Sequence, residues 1–201
     1  MIAIPSRTRL RTAASLLLTT GVGAACGTAA RTPVTSPGSS LSGYSEADVR
    51  FLQGMIAHHA QALVMTELVP ARTENESLRR LAGRIEVSQK DEIALMDGWL
   101  ERRGETGPEG HHHAPLMPGM LTEEELARLA AATGDEFDPL FLEFMIRHHE
   151  GALVMVADLF ASGGGEEAEI FQLASHVDAD QRAEVARMRD MLNSRFQEGY
   201  E

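Results

Sequence analysis

Two short clusters of methionine and histidine are the residues of this chain best suited to chemistry. Each cluster reads Met-x-x-His-His, and another methionine follows six residues later. Imidazole nitrogen and thioether sulfur together form a ligand set that suits copper, and thioether sulfur favours Cu(I). The clusters therefore predict a site for copper, as Cu(I) or Cu(II), with another transition metal as the alternative. The candidate ligands are Met55, His58, His59, Met65, Met145, His148, His149 and Met155.

A second set of residues recurs at matching places downstream of each cluster. At about 100° per residue on a helical wheel, these residues and both histidines of each cluster fall within apolar arcs. A carboxylate or imidazole buried without a partner costs on the order of several kcal/mol, so these side chains must bind one another or a ligand. Both interpretations stay open: ligands or supports of a metal, or a hydrogen-bonded network that only orders the helices. The residues are Gln89, Glu92, Met96, Gln181, Glu184 and Met188.

The glycine- and proline-rich connector between the clusters also carries potential metal ligands. Three histidines and two methionines in such a loop are not typical of a core. A loop can wrap around an ion without a preset geometry, so the connector predicts a second, more exposed and weaker site. The alternative is a polar loop that happens to be rich in histidine. The residues are His111, His112, His113, Met117 and Met120.

An internal repeat positions the two clusters. Residues 48–65 and 138–155 align without a gap and are identical at 11 of 18 positions. A second pair of similar segments follows at a nearly equal distance in each half. Each half is therefore predicted to be a helical hairpin, and the halves to be related by an approximate two-fold axis.

The predicted fold is all-α, an antiparallel four-helix bundle built from the two repeated hairpins. Pro70 is expected to end the first helix, and Asp138 to be the N-cap of the third, with Pro139 as its first helical residue. A short helix with a Thr122–Glu125 capping box is expected in the connector. The bundle domain covers 45–197, with repeats at about 45–103 and 137–197 and the connector at 104–136.

The N-terminal segment predicts export. Residues 1–25 combine three arginines, a short apolar stretch and small residues before Cys26, which is the layout of a signal peptide. The stretch resembles a lipoprotein signal, in which Cys26 would be lipidated and residues 26–44 would be a flexible linker. The predicted location is the outer face of the cell membrane, reached through a lipid anchor only. The alternative is a secreted or periplasmic protein.

Charge and composition exclude several functions. The chain has 18 basic and 30 acidic residues, and loss of the three signal-peptide arginines would leave 15 basic residues. Such an acidic surface repels nucleic acid and attracts cations. Cys26 is the only cysteine, so the folded part has no thiolate ligand. Because no catalytic motif occurs, no enzymatic activity is predicted. A protein partner is not indicated.

Taken together, the motifs resemble those of the "domain of unknown function 305" family. The resemblance is carried by FLQGMIAHHAQALVM and FLEFMIRHHEGALVM, each followed by Q-x-x-E-[IV]-x-x-M. It implies a ferritin-like four-helix bundle, exported in bacteria, with some members that bind copper and act in copper resistance. The implied ligands are the eight residues of the two clusters, together with Met117 and Met120.

Three functional hypotheses follow, and the last of them, a metalloenzyme such as a small oxidase, has no sequence feature of its own. The first is an exported lipoprotein that binds or buffers copper through its Met/His clusters. The second is a non-catalytic structural or interaction module, whose buried His/Gln/Glu network only orders the bundle.

Overall fold

A computed structural model describes residues 43–107 and 116–198, all of which lie in one compact unit. Five helices and no strands occur in these residues, which confirms the all-α prediction. No helix in these two ranges is long and apolar enough to cross a membrane. The helices are α1 (Glu46–Arg72), α2 (Glu76–Arg103), α3 (Glu123–Ala131), α4 (Gly134–Ala161) and α5 (Ala168–Glu198).

Local capping signals explain several helix ends. Ser45 is the N-cap of α1 and forms a capping box with Asp48. Thr122 and Glu125 form the predicted capping box at the start of α3. α2 ends at Gly104, whose φ of 71° is costly for residues with a Cβ.

The predictions for both prolines were wrong. α1 continues to Arg72, so Pro70 lies in its last turn. α4 begins at Gly134, so Pro139 lies in its second turn. Proline lacks an N–H and removes one helical hydrogen bond, but near a helix end this loss does not stop the helix. Asp138 is therefore not an N-cap, and its side chain instead accepts a hydrogen bond from Asn75 at 2.9 Å.

Two apolar clusters form the core, one towards each end of the long helices. One contains Ala62 and Met65 from the second half of α1 with Phe141 and Met145 from the first half of α4. The other contains residues from the first half of α1, such as Met55, and from the second half of α4. Because opposite halves share a cluster, α1 and α4 run in opposite directions. The same reasoning makes α2 antiparallel to α1 and α5 antiparallel to α4.

A pair of equivalent aspartates ties each hairpin to the other. Asp48 in α1 accepts a hydrogen bond from the Gly165 amide, in the loop before α5, at 2.6 Å. Asp138, its counterpart in α4, accepts from Asn75, which caps α2. Both carboxylates are buried, with exposures of 1% and 3%. Each hairpin therefore holds the interhelical loop of its partner hairpin.

Removal of either aspartate should destabilise the whole domain. Asp48→Ala loses the Gly165 amide and both Ser45 donors, so we expect the free energy of unfolding to fall by about 2–4 kcal/mol. Asp138→Ala should lower it by about 1–3 kcal/mol. Urea denaturation measures both changes. The control is Glu143→Ala, an exposed site on α4, where the change should stay within about 0.5 kcal/mol. Losses no larger than that of the control would contradict the reciprocal ties.

Candidate metal site

A layer of polar side chains separates the two apolar clusters. Each long helix contributes two of its members at the level between the clusters. The four histidines of this layer have exposures of 0%, and its two glutamines have exposures of 1%. This confirms the expectation that these polar residues face the core. The layer consists of His58, His59, Gln89, Glu92, His148, His149, Gln181 and Glu184.

The outer histidines are each held by a glutamate of their own hairpin. His59 Nε2 lies 2.7 Å from Glu92 Oε2, and His149 Nε2 lies 2.7 Å from Glu184 Oε2. With the carboxylate accepting, each Nε2 donates the hydrogen bond. Neither Nδ1 has a hydrogen-bond partner among the described residues. Metal-binding histidines commonly show this orientation, but so do purely structural His–Glu pairs.

The central histidines contact each other across the two hairpins. The ring centroids of His58 and His148 are 3.8 Å apart, with their planes tilted by 37°. Equivalent residues of two repeats meet in this way where an approximate two-fold axis passes between them. The two repeats therefore share one central pair.

Each central histidine has ring nitrogen left over for a ligand. His58 Nε2 donates to the carbonyl oxygen of Pro118 at 3.0 Å, which leaves its Nδ1 as a lone pair. In the described part of the chain, that Nδ1 has no partner, and neither ring nitrogen of His148 meets one at full hydrogen-bonding geometry. Buried imidazoles in this state are costly, so the pair is a candidate for binding an ion.

Burial keeps the central pair neutral. Burial is the main cause that lowers the pKa of His58 to about 3; the bond to Pro118 opposes this shift, and His59 and His149 add to it. Burial, followed by the neighbouring histidines, holds the pKa of His148 well below its usual range, although the backbone of His58 opposes this. Neutral imidazole is the form that binds metal.

The connector crosses α1 and α4 directly over the central pair. On α1, the Gln61 amide donates to the Leu121 carbonyl at 2.9 Å and accepts from the Leu121 amide at 2.7 Å. On α4, a Cβ added at Gly151 would lie 1.9 Å from the Pro118 oxygen. Gly119, with a φ of 77°, is packed equally closely against α4. This close approach is what brings the Pro118 carbonyl to His58.

Two thioether side chains converge at Gly54, one helical turn from His58. A Cβ added at Gly54 would lie 3.3 Å from Met155 Cε and 3.4 Å from Met117 Sδ. Gly54 and His58 are four residues apart, so the two thioethers approach the face of α1 that carries His58. Met117, predicted as part of an exposed loop site, is partly buried, and its sulfur lies close to Gly54 of α1.

The remaining predicted methionines lie in apolar surroundings. Met55 and Met96 belong to one apolar cluster, and Met65, Met145 and Met188 belong to the other. All five are fully buried, which is what core filling requires. Met120 is partly buried in the connector. The predicted sites at His111, His112, His113 and Cys26 lie outside the described residues.

The donors that are present fit a soft metal better than a hard one. No group of three or more His, Cys, Asp or Glu side chains in residues 43–107 and 116–198 is arranged to hold an ion. His58, His148, Met117 and Met155 carry imidazole nitrogen and thioether sulfur, the donor types that suit a soft metal.

Sequence reasoning missed the glycines and the carbonyl that build this site. The signal for Gly54 was a difference between the repeats, because its counterpart in the second repeat is Phe144. Phe144 is buried and lies beneath Arg147. The small residue thus marks the half in which two methionines converge. Gly151 stands opposite Gln61 in the same alignment, and both contact the connector.

Comparison with known proteins gives the family. A model for a domain of unknown function, DUF305, matches residues 48–192, so this chain belongs to the DUF305 family. An uncharacterized protein of Acanthamoeba polyphaga mimivirus is 38% identical over 56 residues. That match covers 28% of this chain and 37% of the viral protein, so the chain spans little more than a third of that relative.

Solved structures share the fold over most of this chain. A DUF305 fragment from Deinococcus radiodurans is 30% identical with a TM-score of 0.67, covering 75% of this chain and 98% of the fragment. CopM in its Cu(I)-bound form is 27% identical with a TM-score of 0.61, covering 73% of this chain and 96% of CopM. CopM has also been solved in Cu(II)- and silver-bound forms.

The neutral central pair predicts loss of stability in acid. Between about pH 6.5 and pH 3 the unfolded chain binds protons on these histidines that the folded chain does not. The free energy of unfolding therefore falls as pH falls through this window, by roughly 1.4 kcal/mol per pH unit for each histidine. Urea denaturation of chelator-treated protein at pH 7, 6 and 5 measures this slope. His148→Gln should make the dependence of the free energy of unfolding on pH less steep. His176→Gln, at an exposed site, should leave that dependence unchanged. Equal slopes in both variants would contradict this explanation.

The tight contact at Gly151 predicts a sensitive connector. Gly151→Ala must displace Pro118, so we expect faster hydrogen exchange at the Leu121 amide and a loss of about 1–3 kcal/mol of stability. Gly83→Ala is the matched control, because a Cβ there meets nothing within 4 Å. That variant should gain up to about 1 kcal/mol from helix propensity alone. Unchanged exchange at Leu121 in Gly151→Ala would show that the connector is not held at this contact.

Proposed function

We propose that this chain is an exported protein that binds Cu(I) and buffers it outside the cytoplasm. The observations that carry the proposal are the central histidine pair, buried with unpartnered ring nitrogens, and the two thioethers that converge one helical turn away at Gly54. Neutral imidazole and thioether are donors that Cu(I) accepts at low coordination number, whereas Mg²⁺ and Ca²⁺ require oxygen.

The proposed ligands come from three different parts of the chain. His58 is from the first repeat, His148 and Met155 are from the second, and Met117 is from the connector. The two repeats thus share one site, set within a ferritin-like antiparallel four-helix bundle. Met55, Met65 and Met145 are assigned to core packing instead.

The outer histidines have a supporting role in this proposal. His59 and His149 are already bonded to Glu92 and Glu184 at 2.7 Å. A buried hydrogen-bonded pair of this kind can fix the register of neighbouring helices. This observation favours the structural hypothesis for the outer pairs, while the central pair is left for metal.

Likeness to CopM supports copper as the metal. CopM has been solved with Cu(I), Cu(II) and silver, and silver is a soft monovalent ion like Cu(I). The shared fold and 27–29% identity make a soft-metal site a reasonable inheritance for this chain.

The cellular setting is part of the proposal. Residues 1–25 have the layout of a signal peptide, and Cys26 would carry the lipid that anchors the protein to the outer face of the membrane. The acidic composition argues against nucleic acid as a partner. The protein is proposed to act without catalysis.

Anaerobic titration with Cu(I) against a competing chelator tests the proposal. Wild type should bind one Cu(I) in the bundle more tightly than micromolar, and His58→Ala or His148→Ala should weaken binding at least a hundredfold. His176→Ala is the control for an exposed histidine and should leave affinity unchanged. If all three variants bind alike, Cu(I) is not held by the central pair.

Substitution of Gly54 tests the site without removing a ligand. The side chain of Gly54→Leu would occupy the space where Met117 and Met155 converge. We expect Cu(I) affinity to fall at least tenfold while stability is kept, because leucine favours helix over glycine by about 0.8 kcal/mol. Gly83→Leu makes the same helical change in open space and should bind normally.

The copper proposal and the structural hypothesis predict different effects of Cu(I) on the melting temperature. Under the copper proposal, Cu(I) raises the melting temperature of wild type and Gly83→Leu but not of Gly54→Leu. A wild type whose melting temperature does not respond to Cu(I) would favour a purely structural role.

A further inference from the structure

A groove between α1 and α4 opens onto one of the proposed ligands. Its volume is about 280 Å³, and Met155 forms part of its wall. The methyl end of the same side chain reaches Gly54, beside Met117. Met155 therefore extends from the groove to the face of α1 where Met117 also ends. The groove is lined by Ala47, Arg50, Phe51, Met155, Asp158, Leu159 and Ser162.

The equivalent place in the other repeat is closed. Met65, the counterpart of Met155, has an exposure of 0%. Leu121 from the connector and Leu129 from α3 belong to the apolar cluster that contains Met65. α3 and the connector thus cover one end of the α1–α4 surface. The two repeats therefore differ in the access of solvent to this methionine as well as in packing.

We propose that this groove is the route by which Cu(I) reaches and leaves the central site, with Met155 as the first protein ligand. The inference rests on the proposed Cu(I) function. Cu(I) moves between molecules by exchange of ligands, so at least one protein donor must be reachable from solvent. His58 and His148 are not reachable, since both have exposures of 0%.

Charges at the groove are compatible with passage of a cation. Asp158 lies in the last turn of α4, where the carboxylate and the carbonyl end of the helix both favour positive charge. The positive charge of Arg50 is offset by Glu46 at 3.3 Å. The arginine therefore does not prevent a cation from entering the groove. The sulfur of Met155 is the group that would favour Cu(I) over other cations.

A residue on a route and a residue that is a ligand have different kinetic signatures. Narrowing a route slows the loading and the release of Cu(I) by the same factor, so the Kd for Cu(I) is unchanged. Loss of a ligand changes the Kd. Ser162 suits a route test because it is exposed and its hydroxyl bonds only the Leu159 carbonyl of its own turn.

The experiment compares Ser162→Trp with Arg72→Trp, its counterpart in the first repeat, which lies away from this groove. Stopped-flow measurement of Cu(I) loading from a weak chelate, and of removal by excess strong chelator, gives both rates. Ser162→Trp should slow both at least tenfold at constant Kd, while Arg72→Trp should match wild type. Rates that are the same in Ser162→Trp and wild type, or a change in Kd, overturn the route.

A copper-free measurement keeps the two proposals distinguishable. Dilute hydrogen peroxide converts accessible methionine to the sulfoxide, which peptide mass spectrometry locates. Met155 should oxidise at least tenfold faster than Met65, and Ser162→Trp should protect Met155. Equal oxidation of the two methionines overturns the route even if Cu(I) binds. Preferential oxidation of Met155 in a protein that binds no Cu(I) overturns the proposed function and, with it, the assignment of the groove to copper.

Discussion

Four imidazoles buried in one layer are the constraint on which this structure depends. Each ring brings two polar nitrogen atoms into the buried interior, and each nitrogen must be given a partner or remain costly. Glutamates from α2 and α5 serve the two outer rings, and the connector carbonyl serves one central ring. The second central ring, His148, has no comparable partner in the described part of the chain. The described residues therefore leave many polar atoms of the layer without a hydrogen-bond partner, among them both side-chain polar atoms of Gln89 and one oxygen of Glu92.

The approximate symmetry of the repeats is broken at the place where the chemistry is concentrated. His58 and His148 are equivalent positions of two similar helix pairs and meet at the centre, but a single connector passes over them. It bonds to one histidine and contributes one methionine. The two repeats also differ within their first helices, because Gly54 of the first repeat is replaced by Phe144 in the second. Duplication supplied the framework, and the unduplicated parts supplied the asymmetric site.

Helical periodicity and capping residues made much of this structure predictable from the sequence. The all-helical class, the capping boxes and the burial of the histidines with Gln89 and Gln181 are properties of single helices, and sequence patterns report these well. Two prolines misled the prediction of helix ends, because a proline near an end costs only one hydrogen bond. The contact between His58 and His148 depends on how two helices are aligned, which the pattern of one helix does not contain. The role of Met117 required the path of the connector, and composition alone described that stretch only as a loop.

The reciprocal aspartate bonds have a consequence for the history of the fold. Asp48 holds the loop of the second hairpin and Asp138 holds the loop of the first, which is the bonding of an isologous dimer. Two separate copies of one ancestral hairpin could have made the same pair of bonds across a subunit interface. Such a homodimer must present identical groups on both sides of its axis. Fusion into one chain removed that requirement, and it let a single linking segment place a methionine and a carbonyl on one side only.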